Sequence, residues 1–285
     1  MDEIRRLRPT GSCGVFEKRI QCVRTFEAHS LALLRSPSLS QARVRRRIAA
    51  VRIAIFERLG VAGRVKNAYS GAMLHFYYGS GSPFAWKVWL VLEHKGLAYE
   101  LHTLSFSGGE LKTPSYLAVN PRGRVPSIVH DDFALYESTA IVEYLNETFP
   151  DPPLLPTDRK ARALVRRLAF EADNTYYPNA RKLFAETLFR PRGDGDPALI
   201  ERATEGLLRE GEAIEQALDL SVPESERSYA DYTLYPHFAL LRRLAERMPT
   251  HRRPFDALGP RVRGLMARVE AKPFYSKTFP PHWKD

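Results

Sequence analysis

The main body of this sequence contains no cysteine. Only Cys13 and Cys22 occur among the 285 residues, and both precede residue 73. Residues 73–285 therefore offer no disulfide, thiolate metal site or cysteine nucleophile. No signal peptide is recognisable at the start of the sequence, so we expect a reducing, cytoplasmic environment.

Long apolar runs and a net charge are also missing from this body. No stretch approaches the roughly 18 apolar residues that a membrane span requires. Residues 1–72 hold 15 of the 43 basic and 5 of the 33 acidic residues, which leaves 28 of each sign in residues 73–285. The formal net charge of +10 therefore belongs to the first 72 residues. We expect the body, which has enough apolar residues for a core, to bind neither nucleic acid nor membranes.

Residues 1–72 are interpreted as a basic extension. They include the run Arg43-Val44-Arg45-Arg46-Arg47. Such a segment is compatible with a membrane-surface or nucleic-acid-binding helix, or with an organelle-targeting segment. We favour a loosely ordered tail, or sequence upstream of the true start, and assign it no function.

From Met73 to residue 150 the pattern predicts one small mixed sheet with helices on both faces. The order is strand, helix, strand, followed by a hairpin and a closing helix, which gives βαβ–ββα. Ser82-Pro83 supplies a helix N-cap and first position, and Gly96 supplies the stop. The predicted strands are 74–78, 99–104, 125–129 and 133–135, and the predicted helices are 83–95 and 138–147.

The remainder of the chain is predicted to be helical. A proline-rich linker, residues 151–158, leads into an all-helical domain over residues 159–285. Its apolar residues recur at helical spacing. The predicted helices are 160–190, 197–218, 228–247 and 261–271.

Nucleotide and metal motifs are missing as well. Gly79-x-Gly81 lacks the third glycine of a dinucleotide-binding turn, since Phe84 stands there, and no Gly-Lys-Ser/Thr follows. The eight histidines show no metal-ligand spacing, so we expect no metal.

Three motifs together resemble the glutathione S-transferase superfamily. They are Asn120-Pro121-Arg122-Gly123-Arg124-Val125-Pro126, Tyr136-Glu137-Ser138-Thr139-Ala140-Ile141 and Ser228-Tyr229-Ala230-Asp231. Ser82-Pro83-Phe84 resembles the serine-type members (bacterial and theta-, zeta- or tau-like). The resemblance spans Met73 to about Lys284. It implies a thioredoxin-like N-terminal domain, a helical C-terminal domain, and Ser228-x-x-Asp231 as a structural capping box.

The resemblance also implies a catalytic role for Ser82. An unperturbed thiol has a pKa of about 8.5, and lowering it by about two units takes roughly 2.7 kcal/mol of selective thiolate stabilisation. A serine hydroxyl at a helix N-terminus suits this task. Ser80 and Tyr78 are competing candidates, and capping alone is the simpler role for Ser82.

The resemblance places the glutathione site around Val125. It implies a cis Val125–Pro126 bond and antiparallel pairing between the backbone of Val125 and the cysteinyl part of the peptide. Glu137 and Ser138 would receive the γ-glutamyl end, and Lys112 the glycyl carboxylate. Arg124, where relatives often have Gln, is a further contact. The alternatives are an edge-strand proline, simple capping by Glu137 and Ser138, and a solvated loop lysine.

We therefore expect a glutathione transferase that acts on a small hydrophobic electrophile, a detoxification enzyme that forms a homodimer. Tyr176 and Tyr177 are candidates for the electrophile pocket, although an aromatic stripe at helical spacing is more often core. Residues 279–283 would fold over that pocket or pack elsewhere. The alternatives are a non-catalytic interaction module and a glutathione-dependent isomerase, dehalogenase or etherase.

Overall fold

The computed structural model describes residues 73–190, 195–219 and 222–284. The predicted basic extension over residues 1–72 lies outside the described residues. The predicted domain boundaries remain predictions. No helix in the described part of the chain is long and apolar enough to cross a membrane.

The N-terminal part is a four-stranded mixed sheet in the order β2-β1-β3-β4. β1 and β2 are parallel, whereas β1–β3 and β3–β4 are antiparallel. The strands are β1 Leu74–Tyr78, β2 Glu100–Thr103, β3 Ser127–His130 and β4 Phe133–Tyr136. The helices between and after them are α1 Pro83–His94, α2 Pro114–Val119 and α3 Ser138–Thr148.

Successive residues of β1 contact different helices. The rings of Phe76 and Tyr78 contact Trp89 of α1, at centroid distances of 6.4 and 4.7 Å. The ring of Tyr77, on the opposite face, lies 5.5 Å from that of Tyr116 of α2. Because successive strand residues point to opposite faces, the two helices cover opposite sides of the sheet. The predicted thioredoxin-like βαβ–ββα fold is confirmed.

Helix α2 is not among the helices predicted from the sequence. The side chain of Thr113 caps it by accepting a hydrogen bond from the Tyr116 backbone N–H at 3.3 Å. Thr113-Pro114 is the same kind of start signal as Ser82-Pro83. With only six residues, α2 is too short to show helical periodicity, and this is why it was missed.

The C-terminal part is helical, as predicted. The expected first helix begins as α4, passes through a π-helical segment and continues as α5. Two short helices, α8 and α10, were not predicted. The bounds are α4 Arg159–Glu171, π segment Ala172–Tyr176, α5 Tyr177–Glu186, α6 Pro197–Ala217, α7 Ser228–Arg247, α8 Arg253–Asp256, α9 Pro260–Glu270 and α10 Tyr275–Thr278.

The predicted capping box at the start of α7 is wrong. Arg227 occupies the cap position, and its carbonyl accepts the Asp231 backbone N–H at 3.1 Å. The buried Asp231 carboxylate instead accepts from the Arg268 guanidinium at 3.2 Å. A short acidic side chain beside two buried or half-buried arginines gains more from their charges than from a backbone N–H.

The buried Lys87 of α1 joins the sheet part to the helical part. Its ammonium donates to Asp173 Oδ2 in the π segment at 2.6 Å and to Thr139 Oγ1 of α3 at 3.2 Å. The other oxygen of Asp173 lies 3.0 Å from His237 Nε2 of α7. Lys87 and His237 are almost fully buried, at 2% and 1% exposure. Four separate elements therefore meet at one carboxylate.

Burial and charge act in opposite directions on this network. Burial raises the pKa of Asp173, but the hydrogen bond from His237 and the charge of Lys87 outweigh it and lower the pKa from 3.8 to about 2. Burial lowers the pKa of Lys87, and the adjacent Asp173 partly offsets that effect. The Asp173 carboxylate is therefore ionised at neutral pH, and its charge favours the protonated ammonium of Lys87.

Asp173→Asn is expected to destabilise the protein in a pH-dependent way. Removing the carboxylate that faces a buried ammonium should lower the free energy of unfolding by about 3–5 kcal/mol at pH 7. A carboxyl whose pKa is lowered on folding stabilises the protein fully above pH 3.8, its ordinary pKa. This stabilisation is lost as the pH falls through about 2, its pKa in the folded protein. The difference in the free energy of unfolding between wild type and Asp173→Asn should therefore be about 1 kcal/mol smaller at pH 3 than at pH 7.

Urea unfolding of both proteins at both pH values measures this difference. The matched control is Glu171→Gln, two residues earlier, whose carboxylate forms a half-exposed pair with Arg167. This change should shift stability by less than about 1 kcal/mol. Equal effects of the two substitutions would contradict the role assigned to Asp173.

Candidate active site

Ser82 lies in the loop between β1 and α1. Its backbone N–H donates to the Gly79 carbonyl at 3.0 Å, and its hydroxyl accepts the Ala85 backbone N–H at 3.3 Å. It is the N-cap of α1, and its side chain is half-buried. A hydroxyl that accepts one hydrogen bond keeps its own proton to donate. Capping and donation to an anion at the positive end of the helix are therefore compatible.

The two competing hydroxyls have other hydrogen-bond partners. Tyr78 is 1% exposed, accepts the Gly81 backbone N–H at 3.3 Å and bonds to Ser80. Burial raises the pKa of Tyr78 above its ordinary value, although both of these bonds lower it. Ser80 Oγ lies 2.6 Å from Nδ1 of His282, in the C-terminal segment.

The loop before β3 lies directly against the Ser82 loop. A Cβ placed on Gly79 would lie 2.8 Å from a methyl group of Val125, so only glycine allows this approach. The Val125–Pro126 bond is cis. The carbonyl of Arg124 accepts hydrogen bonds from Tyr116 Oη at 2.5 Å and Asn120 Nδ2 at 2.6 Å. These two buried side chains hold the loop from behind.

Lys112 belongs to the same neighbourhood. Its Nζ would lie 3.0 Å from a Cβ on Gly123, so its ammonium sits beside the turn that leads into Arg124 and Val125. The side chains of Lys112 and Arg124 are both exposed. The structure thus brings two cations to the edge of the loop that carries Val125.

Glu137 is held in an uncommon backbone conformation at the start of α3. Its φ is 72° and its ψ is 111°, a region that costs a non-glycine residue on the order of 1–3 kcal/mol. Its exposed carboxylate lies 3.8 Å from Arg122 Nε. Ser138, the first residue of α3, is buried at 7% exposure. Strain of this kind is typical of positions where a side chain must be aimed.

The two candidate pocket tyrosines have different environments. Tyr176 is fully buried, with its ring 5.1 Å from that of Phe238, so its side chain belongs to the core. Tyr177 is half-buried, and its ring meets that of Phe84 edge-on at 4.7 Å. Since Phe84 follows Ser82 by two residues, Tyr177 is the tyrosine that lies near the Ser82 loop.

The C-terminal segment folds back over the Ser82 loop. A Cβ on Gly81 would lie 2.9 Å from the ring of His282, and the ring of Trp283 lies 5.5 Å from that of Trp86. Arg243 donates to the Trp283 carbonyl at 3.3 Å. The sequence alone leaves open whether residues 279–283 cover the site, because a contact between residues some 200 positions apart has no local sequence signal. The Ser80–His282 contact was missed for the same reason.

Comparisons with known proteins agree with this geometry. Residues 81–148 match the family described as "Glutathione S-transferase, N-terminal domain". Glutathione S-transferase 3 of Zea mays is 32% identical over 213 residues, covering 73% of this chain and 93% of that protein. Glutathione S-transferase 1 of Dianthus caryophyllus is 44% identical over 91 residues, 32% of this chain, and the match spans about two fifths (41%) of that relative.

A solved structure has the same fold over most of the chain. The crystal structure of a glutathione S-transferase from the Antarctic clam Laternula elliptica superposes with a TM-score of 0.61 and is 30% identical. The match covers 75% of this chain and 94% of that one. With the four-stranded sheet, the cis Val125–Pro126 bond and the helical C-terminal part, these similarities show that the chain belongs to the glutathione S-transferase superfamily.

Proposed function

We propose that the protein is a glutathione transferase that activates the thiol of glutathione with Ser82. The observation that carries the proposal is the position of Ser82, at the N-terminus of α1 and beside the loop that ends in the cis Val125–Pro126 bond. Membership of the superfamily supports glutathione as the co-substrate.

The reaction requires an ionised thiol. The hydroxyl of Ser82 donates a hydrogen bond to the sulfur, and the α1 dipole adds to the stabilisation of its negative charge. The thiol proton passes to solvent, and the sulfur electron pair forms the new bond to the electrophile. The electrophile in turn releases a leaving group with its bonding electrons, or moves a displaced π-electron pair onto an atom that takes up a proton from solvent. Lowering the thiol pKa from about 8.5 to about 6.5 makes most of the bound glutathione nucleophilic at pH 7.

The remaining site residues bind different parts of the tripeptide. The backbone of Val125 pairs with the cysteinyl part, in the manner of an added strand. The carboxylate of Glu137 takes the γ-glutamyl ammonium, and the N-terminus of α3 at Ser138 takes its carboxylate. Lys112 receives the glycyl carboxylate, and Arg124 is a further contact. Pro126 shapes the loop rather than contacting the ligand by a polar group.

The electrophile pocket is proposed beside Phe84 and Tyr177. Both rings lie next to the Ser82 loop and offer apolar surface to a small hydrophobic electrophile. Tyr176 contributes only support from the core. Isomerisation, dehalogenation and ether cleavage would use the same thiolate. Assays with a substrate of each class would separate them from transfer, and glutathione binding without any turnover would favour an interaction module.

We also propose that the protein is a cytoplasmic homodimer with a role in detoxification. Light scattering on the full 32.5 kDa chain should give twice the monomer mass. A clean monomer would remove the dimer from the proposal and leave the site unchanged.

Ser82→Ala is expected to raise the thiol pKa of bound glutathione by up to about two units, because the hydroxyl donor is lost. Glutathione affinity should fall little, since the other contacts remain. Ultraviolet absorbance of the thiolate against pH measures the pKa, and calorimetry measures the affinity. The matched control is Ser80→Ala, two residues away, which should leave the pKa unchanged. The reverse pattern would assign the role to Ser80.

Glu137→Gln is expected to weaken glutathione binding by about ten- to a hundredfold, because a charge-assisted hydrogen bond to the ammonium is worth about 1.5–3 kcal/mol. Calorimetric titration of glutathione into the full chain measures the change. Glu147→Gln, an exposed carboxylate near the other end of α3, is the control and should bind as wild type does. Undiminished affinity in Glu137→Gln would place the γ-glutamyl end elsewhere.

A further inference from the structure

Three metal-ligating side chains meet at one edge of the sheet, away from the Ser82 loop. They are His75 of β1 and Glu100 and His102 of the edge strand β2. The parallel register pairs His75 with Glu100 and Tyr77 with His102. Since residues two apart share a face of a strand, all three side chains lie on one side of the sheet.

One donor atom from each of the three residues lies within 4.8 Å of the other two, a separation that a tetrahedral metal ion can bridge. His75 Nδ1 lies 3.0 Å from His102 Nε2. One oxygen of Glu100 lies 3.3 Å from His75 Nδ1, and the other lies 3.6 Å from His102 Nε2. Donors at about 2.0–2.2 Å from a tetrahedral Zn²⁺ are about 3.3–3.5 Å apart. Small side-chain adjustments would therefore close the shell.

Neighbouring rings hold the ligands in place. The ring of His102 stacks on that of Tyr77 at 4.7 Å with an angle of 17° between their planes. Tyr77 in turn packs against Tyr116 of α2. The side chains of His75 and His102 are 26% and 30% exposed, and Glu100 is 56% exposed. The site is thus partly ordered by packing and open to solvent on one side.

We propose that His75, Glu100 and His102 form a binding site for a divalent transition metal of the zinc class. Two imidazoles and one carboxylate are a common donor set for Zn²⁺ and leave a fourth position to water. The ion would tie the edge strand β2 to β1. His75 lies near the beginning of β1 and Ser82 beyond its end, so the metal site is separate from the proposed thiol site.

The expectation that no metal binds rested on the absence of ligands at a fixed local spacing. Glu100-x-His102 supplies two ligands on one strand face, but the third comes from a residue 25 positions earlier. Only the parallel pairing of β1 with β2 brings it within reach.

The test is a titration of the full chain with Zn²⁺ alone, in the absence of glutathione, followed by calorimetry. We expect saturable binding at one site per chain that is abolished or weakened by at least about tenfold in His75→Ala and His102→Ala. Glu100→Gln, a change at an exposed position, should also weaken it. Co²⁺ in place of Zn²⁺ should give visible ligand-field absorption in wild type that these variants lose.

Two controls make the result decisive. His130→Ala changes a histidine of β3 that bonds to Tyr144, and it should leave Zn²⁺ affinity unchanged. Cys13→Ser with Cys22→Ser removes both thiols of the chain, and the site should survive. Loss of binding in the cysteine variant, or unchanged binding in the three ligand variants, would overturn the proposal. Failure of the full chain to bind Zn²⁺ would overturn it as well, leaving a hydrogen-bonded trio.

Discussion

The buried ion pair between Lys87 and Asp173 is the interaction on which the candidate site depends. Lys87 lies five residues after Ser82 on α1, and it bonds to Thr139, one residue after Ser138 on α3. The N-termini of α1 and α3 are therefore held at a fixed separation by a single ammonium group. A buried charge tolerates little displacement from its partner, because each lost contact leaves an uncompensated charge in a low dielectric. This constraint keeps the N-termini of α1 and α3, which both belong to the proposed glutathione site, in a fixed arrangement.

Two helix N-termini carry most of the proposed chemistry. Each presents the positive end of a helix dipole, and in the proposed site glutathione brings an anion to each, the thiolate and the γ-glutamyl carboxylate. Ser82 caps α1 and Ser138 is the first residue of α3, so both have a place in the local structure whether or not a ligand binds. A residue that a fold already needs as a cap can acquire a catalytic role at little structural cost, so the capping position of Ser82 is compatible with the role proposed for it.

The parts of the fold with local signals could be predicted from the sequence. Ser82-Pro83 and Gly96 bound α1, and Asp131-Asp132 separates the hairpin strands, because caps and turns depend on residues a few positions apart. The site residues could be named only through the resemblance of three motifs to a known family. Contacts between distant residues had no such signal. Lys87 with Asp173 and Ser80 with His282 depend on packing of whole elements, and the difference in burial between Tyr176 and Tyr177 depends on which helix faces they meet.

Strand β1 shows why the two proposed sites can coexist in so small a domain. Phe76 and Tyr78 contact Trp89 of α1. His75 and Tyr77 face the other side, where His75 is a proposed metal ligand and the ring of Tyr77 stacks on that of His102. The two-residue period of a strand places the side chains of the two proposed sites on opposite faces of the sheet. A metal ion at the β1–β2 edge would therefore act on the proposed thiol site only through the backbone of β1. The stiffness of that backbone, paired on both sides by β2 and β3, argues that any such effect is small.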